Sequence, residues 1–330
     1  MKIAAAALTA IALMLSATPA GAETTKVRIP RQPGLTYLAF YVMDHDKLVE
    51  KQAQRLGIPL EAEYVTLGTN TGSIDALLSG AVDVVSVGVP AFLTMWEKSK
   101  GNLDIKAVGS FNSIQLVLVT RNPAIKSIAD YTDKSRIALP GVRASSQATI
   151  LQMAAEKAFG DYTKLDALTI TRSHPDAIAS LLDKSSEIDS HFSAPPYVGK
   201  ELQIPGVRAI LTSTEVYGGP GTIGITSATR KFHDANPTAF RAVMEGLRDA
   251  LRVINAEPKR IAQVFKEMTR DPDAVDTIAA ILTDPVNVYD FTPRGIMQVA
   301  GFMNRTGQLK TLPKDWRDTV FPELHDLPGS

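Results

Sequence analysis

Two short loops in the sequence carry residue types that bind anions. Thr69-Asn70-Thr71-Gly72-Ser73 precedes one predicted helix, and Arg143-Ala144-Ser145-Ser146 precedes another. Each loop offers hydroxyl groups, free backbone N–H groups and the positive end of a helix dipole, and these features together favour a bound anion. The same residues also suit ordinary helix capping, which is the alternative interpretation of either loop taken alone.

Histidine is the other residue type that could do chemistry here. The five histidines (His45, His174, His191, His233 and His325) are far apart and never at the helical spacing of a metal site, so we predict no metal. His191 ends a predicted strand, where a side chain could face a cleft, and a structural histidine is the alternative. His174 precedes Pro175 and is interpreted as part of a helix start.

The sequence lacks the residues and motifs on which several classes of enzyme depend. The 330 residues include no cysteine, which excludes disulfides, thiolate metal sites and cysteine nucleophiles. The sequence has no GxxxxGK[ST] phosphate loop, no HExxH and no GxSxG. Gly219–Gly224 matches GxGxxG but leads into a predicted strand, and Pro220 has no N–H to donate, so we interpret it as a flexible turn. We predict no catalytic residue and no cofactor.

The elements that would position these residues form an α/β pattern with mainly parallel sheets. The predicted strands are Val27–Ile29, Glu61–Val65, Val82–Val87, Ile105–Val108, Leu116–Val119, Arg136–Leu139, Leu168–Thr171, Ile188–Phe192, Val207–Leu211 and Thr222–Thr226. The predicted helices between them are Ala39–Gln54, Ser73–Leu78, Ala91–Lys98, Ser146–Phe159 and Pro175–Leu182.

One helix–strand–helix pattern occurs twice. Ile74, Leu77 and Leu78 are followed by Val82-Asp83 and Pro90; the matching residues are Ile178, Leu181, Leu182, Ile188-Asp189 and Pro196. The two copies predict two similar lobes, although α/β proteins often repeat such units. Ligands bind open parallel sheets at the carboxyl ends of the strands, so two such edges that face each other would form a cleft.

The last third of the chain is predicted to be helical. Asn236 is a favourable N-cap residue with Pro237 after it. Phe240, Val243, Met244, Leu247, Leu251 and Ile254 recur at helical spacing and should bury one face. Further helices are predicted at Pro258–Met268, Pro272–Leu282 and Pro293–Asn304. This segment is expected to buttress a lobe.

The first 22 residues have the features of a signal peptide. Lys2 supplies a positive start, Ile3–Leu15 is a short apolar run, and Ala20-Gly21-Ala22 is a typical cleavage motif. Cleavage after Ala22 would export the chain to a bacterial periplasm. The 35 basic and 35 acidic side chains balance, which argues against a nucleic acid partner.

Several motifs resemble one family in the right order along the chain. They are Gln32-Pro33-Gly34, Tyr37-Leu38-Ala39, Ala76–Asp83, Ile125–Asp130 and Asn236-Pro237 with the helix that follows. In these motifs the chain resembles the nitrate/sulfonate/taurine group of ABC-transporter substrate-binding proteins. The sequence departs from the pattern of this family at two places. The stretch Asp44–Gly57 is longer and more polar than usual, and Ser185–Asp189 lacks the usual glycine.

The resemblance implies an α/β, two-lobed periplasmic-binding-protein fold of type II. Two hinge strands would cross near Leu116–Thr120 and Thr222–Thr226, and the helical C-terminal segment would pack on lobe one. The implied division is 1–22 signal peptide, 23–120 first part of lobe one, 121–221 lobe two, and 222–330 return to lobe one. The implied partners are a small-molecule ligand and a permease with a cytoplasmic ATPase, and a monomer is expected.

The predicted ligand is a small organic anion of the sulfonate or carboxylate type. Its polar end is assigned to Thr71, Gly72, Arg143, Ser145, Ser146 and His191, and the rest of the ligand to Gln32, Tyr37, Asn112, Phe192 and Tyr217. The alternatives are an aromatic or pyrimidine-like solute and an exported ligand sensor. Enzymes on the same fold depend on cysteines, so an enzyme is not expected.

Overall fold

The computed structural model describes residues 22–142 and 145–330. Residues 1–21 of the predicted signal peptide and the predicted ligand-binding residue Arg143 lie outside the described residues. The strands are β1 (Lys26–Arg31), β2 (Glu61–Thr66), β3 (Val84–Gly88), β4 (Lys106–Asn112), β5 (Val117–Thr120), β6 (Ile137–Leu139), β7 (Thr169–Thr171), β8 (Ser190–Ser193), β9 (Arg208–Thr212) and β10 (Gly224–Ala228).

The α-helices within the same residues alternate with the strands and then dominate the C-terminal third. They are α1 (Leu38–His45), α2 (Leu48–Arg55), α3 (Asn70–Leu78), α4 (Val89–Lys98), α5 (Ser146–Phe159), α6 (His174–Leu182), α7 (Tyr197–Glu201), α8 (Ser213–Tyr217), α9 (Arg230–Ala235), α10 (Pro237–Ala256), α11 (Pro258–Thr269), α12 (Val275–Thr283) and α13 (Ile296–Arg305). Of these helices, none combines the length and the apolar character needed to cross a membrane.

The strands form three sheets. β1 pairs with β2 in parallel, a second sheet has the order β3-β10-β4, and the third has the order β7-β6-β8-β5-β9. β10 is antiparallel to both of its neighbours, and so is β5. Three strand pairs are parallel, namely β1–β2, β6–β7 and β6–β8, and the other four pairs are antiparallel. The prediction of mainly parallel sheets is therefore right only for those three pairs. β5 and β10 run the opposite way because each begins at the edge of the sheet where its neighbours end.

The apolar side chains form two main cores. The larger core combines residues from 27–114 with residues from 225–324. The second core and its two small satellites are built from residues 116–223. The chain thus passes from lobe one to lobe two just before β5 and returns just before β10. This arrangement confirms the predicted two-lobed fold with two crossing strands.

The helical C-terminal segment packs on lobe one. Helix α10 buries its predicted apolar face, which consists of Phe240, Val243, Met244, Leu247, Leu251 and Ile254, against α1 and α2. A large apolar side chain contributes about 1.5–3 kcal/mol when it is fully buried. The face is continuous from Phe240 to Ile254, about four turns, so this helix stabilises lobe one as the periodicity indicated.

The predicted helix Ala39–Gln54 is two helices. Lys47 adopts a left-handed conformation with φ of 53°, which ends the first helix and starts the second at a new angle. A run of helical periodicity on both sides of Lys47 conceals this break. The prediction of one continuous helix was wrong at this residue.

The start of α10 is capped by a residue that the sequence did not indicate. The side chain of Asn236 makes no cap; its Oδ1 accepts instead from the backbone N–H of Thr24 at 2.8 Å. The carboxylate of Glu23 accepts from the N–H groups of Thr238 and Ala239, at 2.9 and 2.8 Å. A distant residue thus satisfies the free N–H groups at this helix end, and the predicted Asn236 cap is corrected.

The repeated pattern corresponds to equivalent structure in the two lobes. Helices α3 and α6 begin and end at residues 104 positions apart, 70–78 and 174–182. Asp83 accepts from the backbone N–H of Arg28 at 2.7 Å, and Asp189 accepts from that of Arg136 at 3.4 Å. In both lobes, therefore, an aspartate after the repeated helix ties the following strand to its neighbour.

Candidate functional site

A cavity of about 180 Å³ lies between the two lobes. Its wall in lobe one comes from residues that follow β1 and β2 and from the last residue of β3, and its wall in lobe two from residues that follow β6 and β7. Phe111, Leu116, Ile223 and Gly224, from the crossing segments, close one side. The cavity is thus at the carboxyl ends of strands from both lobes, where an open α/β sheet binds its ligand.

The wall from lobe one carries a group of hydrogen-bonded side chains. Gln32 Nε2 donates to Asn70 Oδ1 at 2.9 Å, and the hydroxyl of Tyr37 lies 3.4 Å from the same oxygen. Burial raises the pKa of Tyr37, so its hydroxyl stays protonated and acts as a donor. Thr69 caps helix α3 by accepting from Gly72 N–H. Asn70 is therefore fixed at the first turn of α3, at the cavity wall.

The wall from lobe two is centred on the start of α6. His174 is the first residue of this helix, and Ser173 caps it by accepting from Asp176 N–H at 3.3 Å. His174 Nδ1 lies 2.8 Å from His191 Nε2, and its ring stacks on Tyr197 with centroids 5.4 Å apart. Burial, and next the nearby His191, lower the pKa of His174 well below its ordinary value. A neutral imidazole therefore faces the cavity at neutral pH.

Behind His174 lies a buried pair of ionisable groups. His191 Nδ1 is 2.5 Å from Glu201 Oε1, and neither side chain is exposed to solvent. Within residues 22–142 and 145–330, the second oxygen of Glu201 has no hydrogen-bond partner. A chain of three groups thus runs from the cavity wall into lobe two.

The two lobes touch beside the cavity. Leu35 N–H in lobe one donates to the carbonyl of Pro195 in lobe two at 3.2 Å. Lys200 in lobe two pairs with Asp271 at 3.0 Å and with Asp273 at 3.4 Å, both in lobe one. Gly88 at the end of β3 directly faces Ser146 at the start of α5. These contacts bring the walls together, as in a closed two-lobed binding protein.

Three of the predicted site residues line this cavity: Gln32, Tyr37 and Ser146. Ser146 Oγ donates to the carbonyl of Ile223 at 2.9 Å, which ties lobe two to a crossing segment. Ser145 lies one residue earlier but points inward. Its hydroxyl caps α5 by accepting from Ala148 N–H and donates to the Gly141 carbonyl. For Ser145, the capping alternative is the one observed.

The other predicted residues lie outside the cavity wall. Thr71 and Gly72 belong to the first turn of α3 but do not reach the cavity. Asn112 Nδ2 donates to the carbonyl of Thr36, and so supports the wall from behind. His191 is held by Glu201 and His174, and does not line the cavity. Phe192 packs in the core of lobe two, and Tyr217 packs against both cores; neither lines the cavity.

The prediction missed Asn70 and His174 as wall residues. Asn70 stood in the loop that the sequence singled out, and His174 was interpreted as a helix start, but neither was assigned to the ligand. The internal repeat could have found both. The two residues are 104 positions apart, and each is the first residue of its copy of the repeated helix. Equivalent helix starts in two facing lobes must lie opposite each other across the cleft.

The GxGxxG-like segment is part of the second crossing. A Cβ atom on Gly224 would lie 2.1 Å from the Phe111 ring, so glycine is required here for close packing. Among residues 22–142 and 145–330, no group of three or more His, Asp or Glu side chains could hold a metal ion. The cavity wall combines hydrogen-bonding and aromatic side chains with aliphatic ones such as Leu116 and Ile223.

Comparison with known proteins identifies relatives by structure. No family model and no curated protein sequence matches this chain. The alkanesulfonate-binding protein of Xanthomonas axonopodis pv. citri, bound to MOPS, superposes with a TM-score of 0.70 and 17% identity, over 89% of this chain and 96% of that one. The periplasmic aliphatic sulphonate binding protein of Escherichia coli gives 0.67 and 19%, over 92% and 99%.

A nitrate-binding protein has the same architecture. The periplasmic nitrate-binding protein of Synechocystis PCC 6803 superposes with a TM-score of 0.69 and 14% identity, over 90% of this chain and 84% of that one. These identities are low, but the superpositions extend over nearly the whole chain, through both lobes and both crossings. The chain therefore has the two-lobed periplasmic binding protein fold.

Proposed function

We propose that this protein is the periplasmic solute-binding component of an ABC importer. It would capture a small organic anion of the sulfonate or carboxylate type between its lobes and deliver it to a membrane permease with a cytoplasmic ATPase. In this proposal residues 1–22 are removed on export, residues 23–120 and 222–330 form lobe one, and residues 121–221 form lobe two. The mature protein would act as a monomer and would catalyse no reaction.

The position of the cavity is the observation that carries the proposal. Its walls come from both lobes, so a ligand in it would stabilise the contacts that join them. Closure of this kind couples ligand capture to a change of shape that a partner can recognise. The sequence resemblance to the nitrate/sulfonate/taurine group and the fold shared with sulfonate- and nitrate-binding proteins agree with this function.

The size and polarity of the cavity support a small ligand with one polar end. An engineered apolar cavity of about 150 Å³ accommodates benzene, so about 180 Å³ suits a ligand of similar size and is too small for a flavin. Asn70 and His174 stand at the first turns of α3 and α6, whose positive dipole ends face the cavity. We propose that these helix starts, with Gln32, Tyr37 and Ser146, receive the polar end.

The aromatic wall favours a second candidate ligand. Tyr37 and Phe111 both line the cavity, with ring centroids 5.3 Å apart. A neutral pyrimidine could pack against them. The pyrimidine and the organic anion differ in charge, so a variant that changes only the charge of the wall distinguishes them.

Thermal unfolding with a ligand panel tests the proposal. The exported protein is first unfolded and refolded to remove any bound solute. The panel contains alkanesulfonates, taurine, nitrate, bicarbonate, aromatic carboxylates, pyrimidines and flavins. A ligand at a hundred times its Kd adds about 2.7 kcal/mol, which raises the midpoint by several degrees. We expect sulfonates or carboxylates to shift it; no shift with any compound would contradict the proposal.

An isosteric substitution then tests the site. Asn70→Asp adds a negative charge without changing volume, and the donors Gln32 and Tyr37 would hold that charge in place. An anionic ligand should lose at least tenfold in affinity, because the introduced carboxylate repels it. A neutral pyrimidine should lose far less. Asn102→Asp, on the exposed surface of lobe one, is the matched control and should bind as the unmodified protein does.

A further inference from the structure

The buried chain His174–His191–Glu201 has a defined hydrogen-bond order. The Glu201 carboxylate can only accept, so His191 Nδ1 carries the proton that bridges them at 2.5 Å. His191 Nε2 is then an acceptor, and His174 Nδ1 must donate to it across 2.8 Å. This order leaves Nε2 of a neutral His174 without a proton. Nε2 has no hydrogen-bond partner among the described residues, and the ring that carries it lines the cavity.

We propose that an anionic group of the ligand binds at Nε2 of His174, and that one proton from solvent is taken up on binding and held by the His174–His191–Glu201 chain. This inference rests on the proposed function and specifies its ligand chemistry. With no added proton, the lone pair of Nε2 would face the anion and repel it. With the proton, both nitrogens of His174 donate, one to the ligand and the other to His191.

The net charge of the three side chains His174, His191 and Glu201 explains why they accept the proton only when the ligand is bound. Glu201 gives the three groups a net charge of −1, and its pairing partner within the described residues is His191. One added proton makes these three side chains neutral as a group, while the ligand brings its own negative charge. Before binding, the buried surroundings and the neighbouring His191 disfavour a charged His174. The anion reverses this balance, because an opposite charge nearby favours the protonated form.

The other ionisable groups near His174 are already engaged or uncharged. Tyr197 stacks on the ring, and burial raises its pKa to about 12, so it stays neutral. Lys200, on the same helix as Tyr197 and Glu201, directs its Nζ to Asp271 in lobe one. On either side of His174, Asp176 accepts from Ser173 Oγ, and Arg172 donates to the carbonyl of Thr171. None of these replaces the added proton as a partner for the anion.

The state of the histidines in the free protein is the first test. Nitrogen NMR of the imidazoles reports which ring nitrogen is protonated, without any ligand. We expect the Nδ1–H form for both His174 and His191 at neutral pH, and the His174 signals should disappear in His174→Asn. A proton on Nε2 of His174 in the free protein at neutral pH would overturn the inference.

Proton uptake on binding is the second test. Calorimetry with butanesulfonate and with benzoate, each in two buffers of different ionisation enthalpy, counts the protons exchanged. We expect uptake of close to one proton per anion, and an affinity that falls by up to about tenfold per pH unit between about pH 5 and 8. Binding without proton uptake across this range would overturn the inference while leaving the proposed function intact. Failure of both anions to bind would overturn the inference, and failure of the whole panel would overturn both.

Substitutions separate this role from simple packing. Glu201→Gln keeps an acceptor for His191 but removes the buried charge, so proton uptake should fall to near zero and the pH dependence should flatten. His174→Asn cannot take up a proton and sits on the cavity wall, where folding is least affected; it should lose both proton uptake and at least tenfold in affinity. His45→Asn, at a partly exposed histidine that pairs with Asp46, is the control and should leave proton uptake unchanged.

Discussion

Gly88 is a position where one methyl group should keep the two lobes apart. It ends β3 in lobe one and faces Ser146, the first residue of α5 in lobe two. A Cβ atom on Gly88 would lie 2.7 Å from Ser146 Oγ and 3.1 Å from Ser146 N. Ordinary contact begins near 3.4 Å, so the closest pair is too near by about 0.7 Å (3.4 − 2.7). Gly88→Ala therefore obstructs the closed arrangement at a point beside the cavity.

The clash of the added methyl group with Ser146 destabilises only the closed form. Overpacking by one methyl group costs about 1–3 kcal/mol, and the Ser146 side chain cannot turn away freely because its Oγ donates to the Ile223 carbonyl. A penalty of this size raises Kd by about 5- to 150-fold. When the lobes separate, the contact with Ser146 is absent. The unfolding temperature without ligand should therefore change by little.

Calorimetric titration with the best ligand of the panel measures the effect. Gly301→Ala is the matched control, because a Cβ atom on this glycine of α13 meets no atom within 4 Å, and it should bind normally. The double variant Gly88→Ala/Ser146→Ala removes the closest contact and should recover part of the loss relative to Gly88→Ala. If Gly88→Ala binds the ligand as tightly as the unmodified protein, the lobes do not close as we describe and the reasoning fails.

Two further predictions concern stability and ligand release. Burial acts to raise the pKa of Glu23, but hydrogen bonds from Thr238 and Ala239 outweigh it and the pKa is lowered. The stabilisation by this cap is therefore complete above the unfolded pKa of about 4.3 and is lost as the pH falls through the folded value. Urea unfolding should show Glu23→Ala less stable by about 1 kcal/mol at neutral pH, with no difference near pH 2; an equal difference at both pH values would contradict the assignment. Lys200→Met removes the ion pairs with Asp271 and Asp273 that join the lobes, and stopped-flow dissociation should become about fivefold faster and less sensitive to salt. An unchanged rate would mean that these pairs do not hold the lobes closed.

The sequence predicted helix ends and buried helix faces well, because both depend on the spacing of residues that are close together in the chain. The predicted helix Ser146–Phe159 matches α5 at both ends, and the buried face of α10 is the one its periodicity indicates. The two crossings, in contrast, were predicted near Leu116–Thr120 and Thr222–Thr226 from the resemblance to a known family. The strands after the crossings are antiparallel, however. Strand direction depends on which lobe the chain has just left, and no local pattern carries that information.

The candidate site was predicted in position more accurately than in its residues. Cleft residues were expected at strand ends, and the cavity is there. His191 was chosen because it ends a strand, but it lies within β8, where side chains point to the faces of the sheet and meet helix α7. Residues that follow the strands reach the cavity, and Asn70 and His174 do so from the first turn of a helix. Long-range partners such as Glu201 for His191, or Glu23 for α10, appear only once the chain is folded.

The matched helix starts in the two lobes also bear on how such a binding site can diversify. Asn70 and His174 occupy the same place in two copies of one unit. The amide of Asn70 is uncharged at every pH, whereas the imidazole of His174 can take up a proton and become positive. Each directly follows its own helix cap and lies outside either hydrophobic core, so a substitution at one copy need not disturb the other. Duplication of a single unit would thus supply two positions that evolve independently on opposite sides of one ligand. Exchanging these two residues, alone and together, is the smallest change by which the ligand preference of this protein could be redesigned.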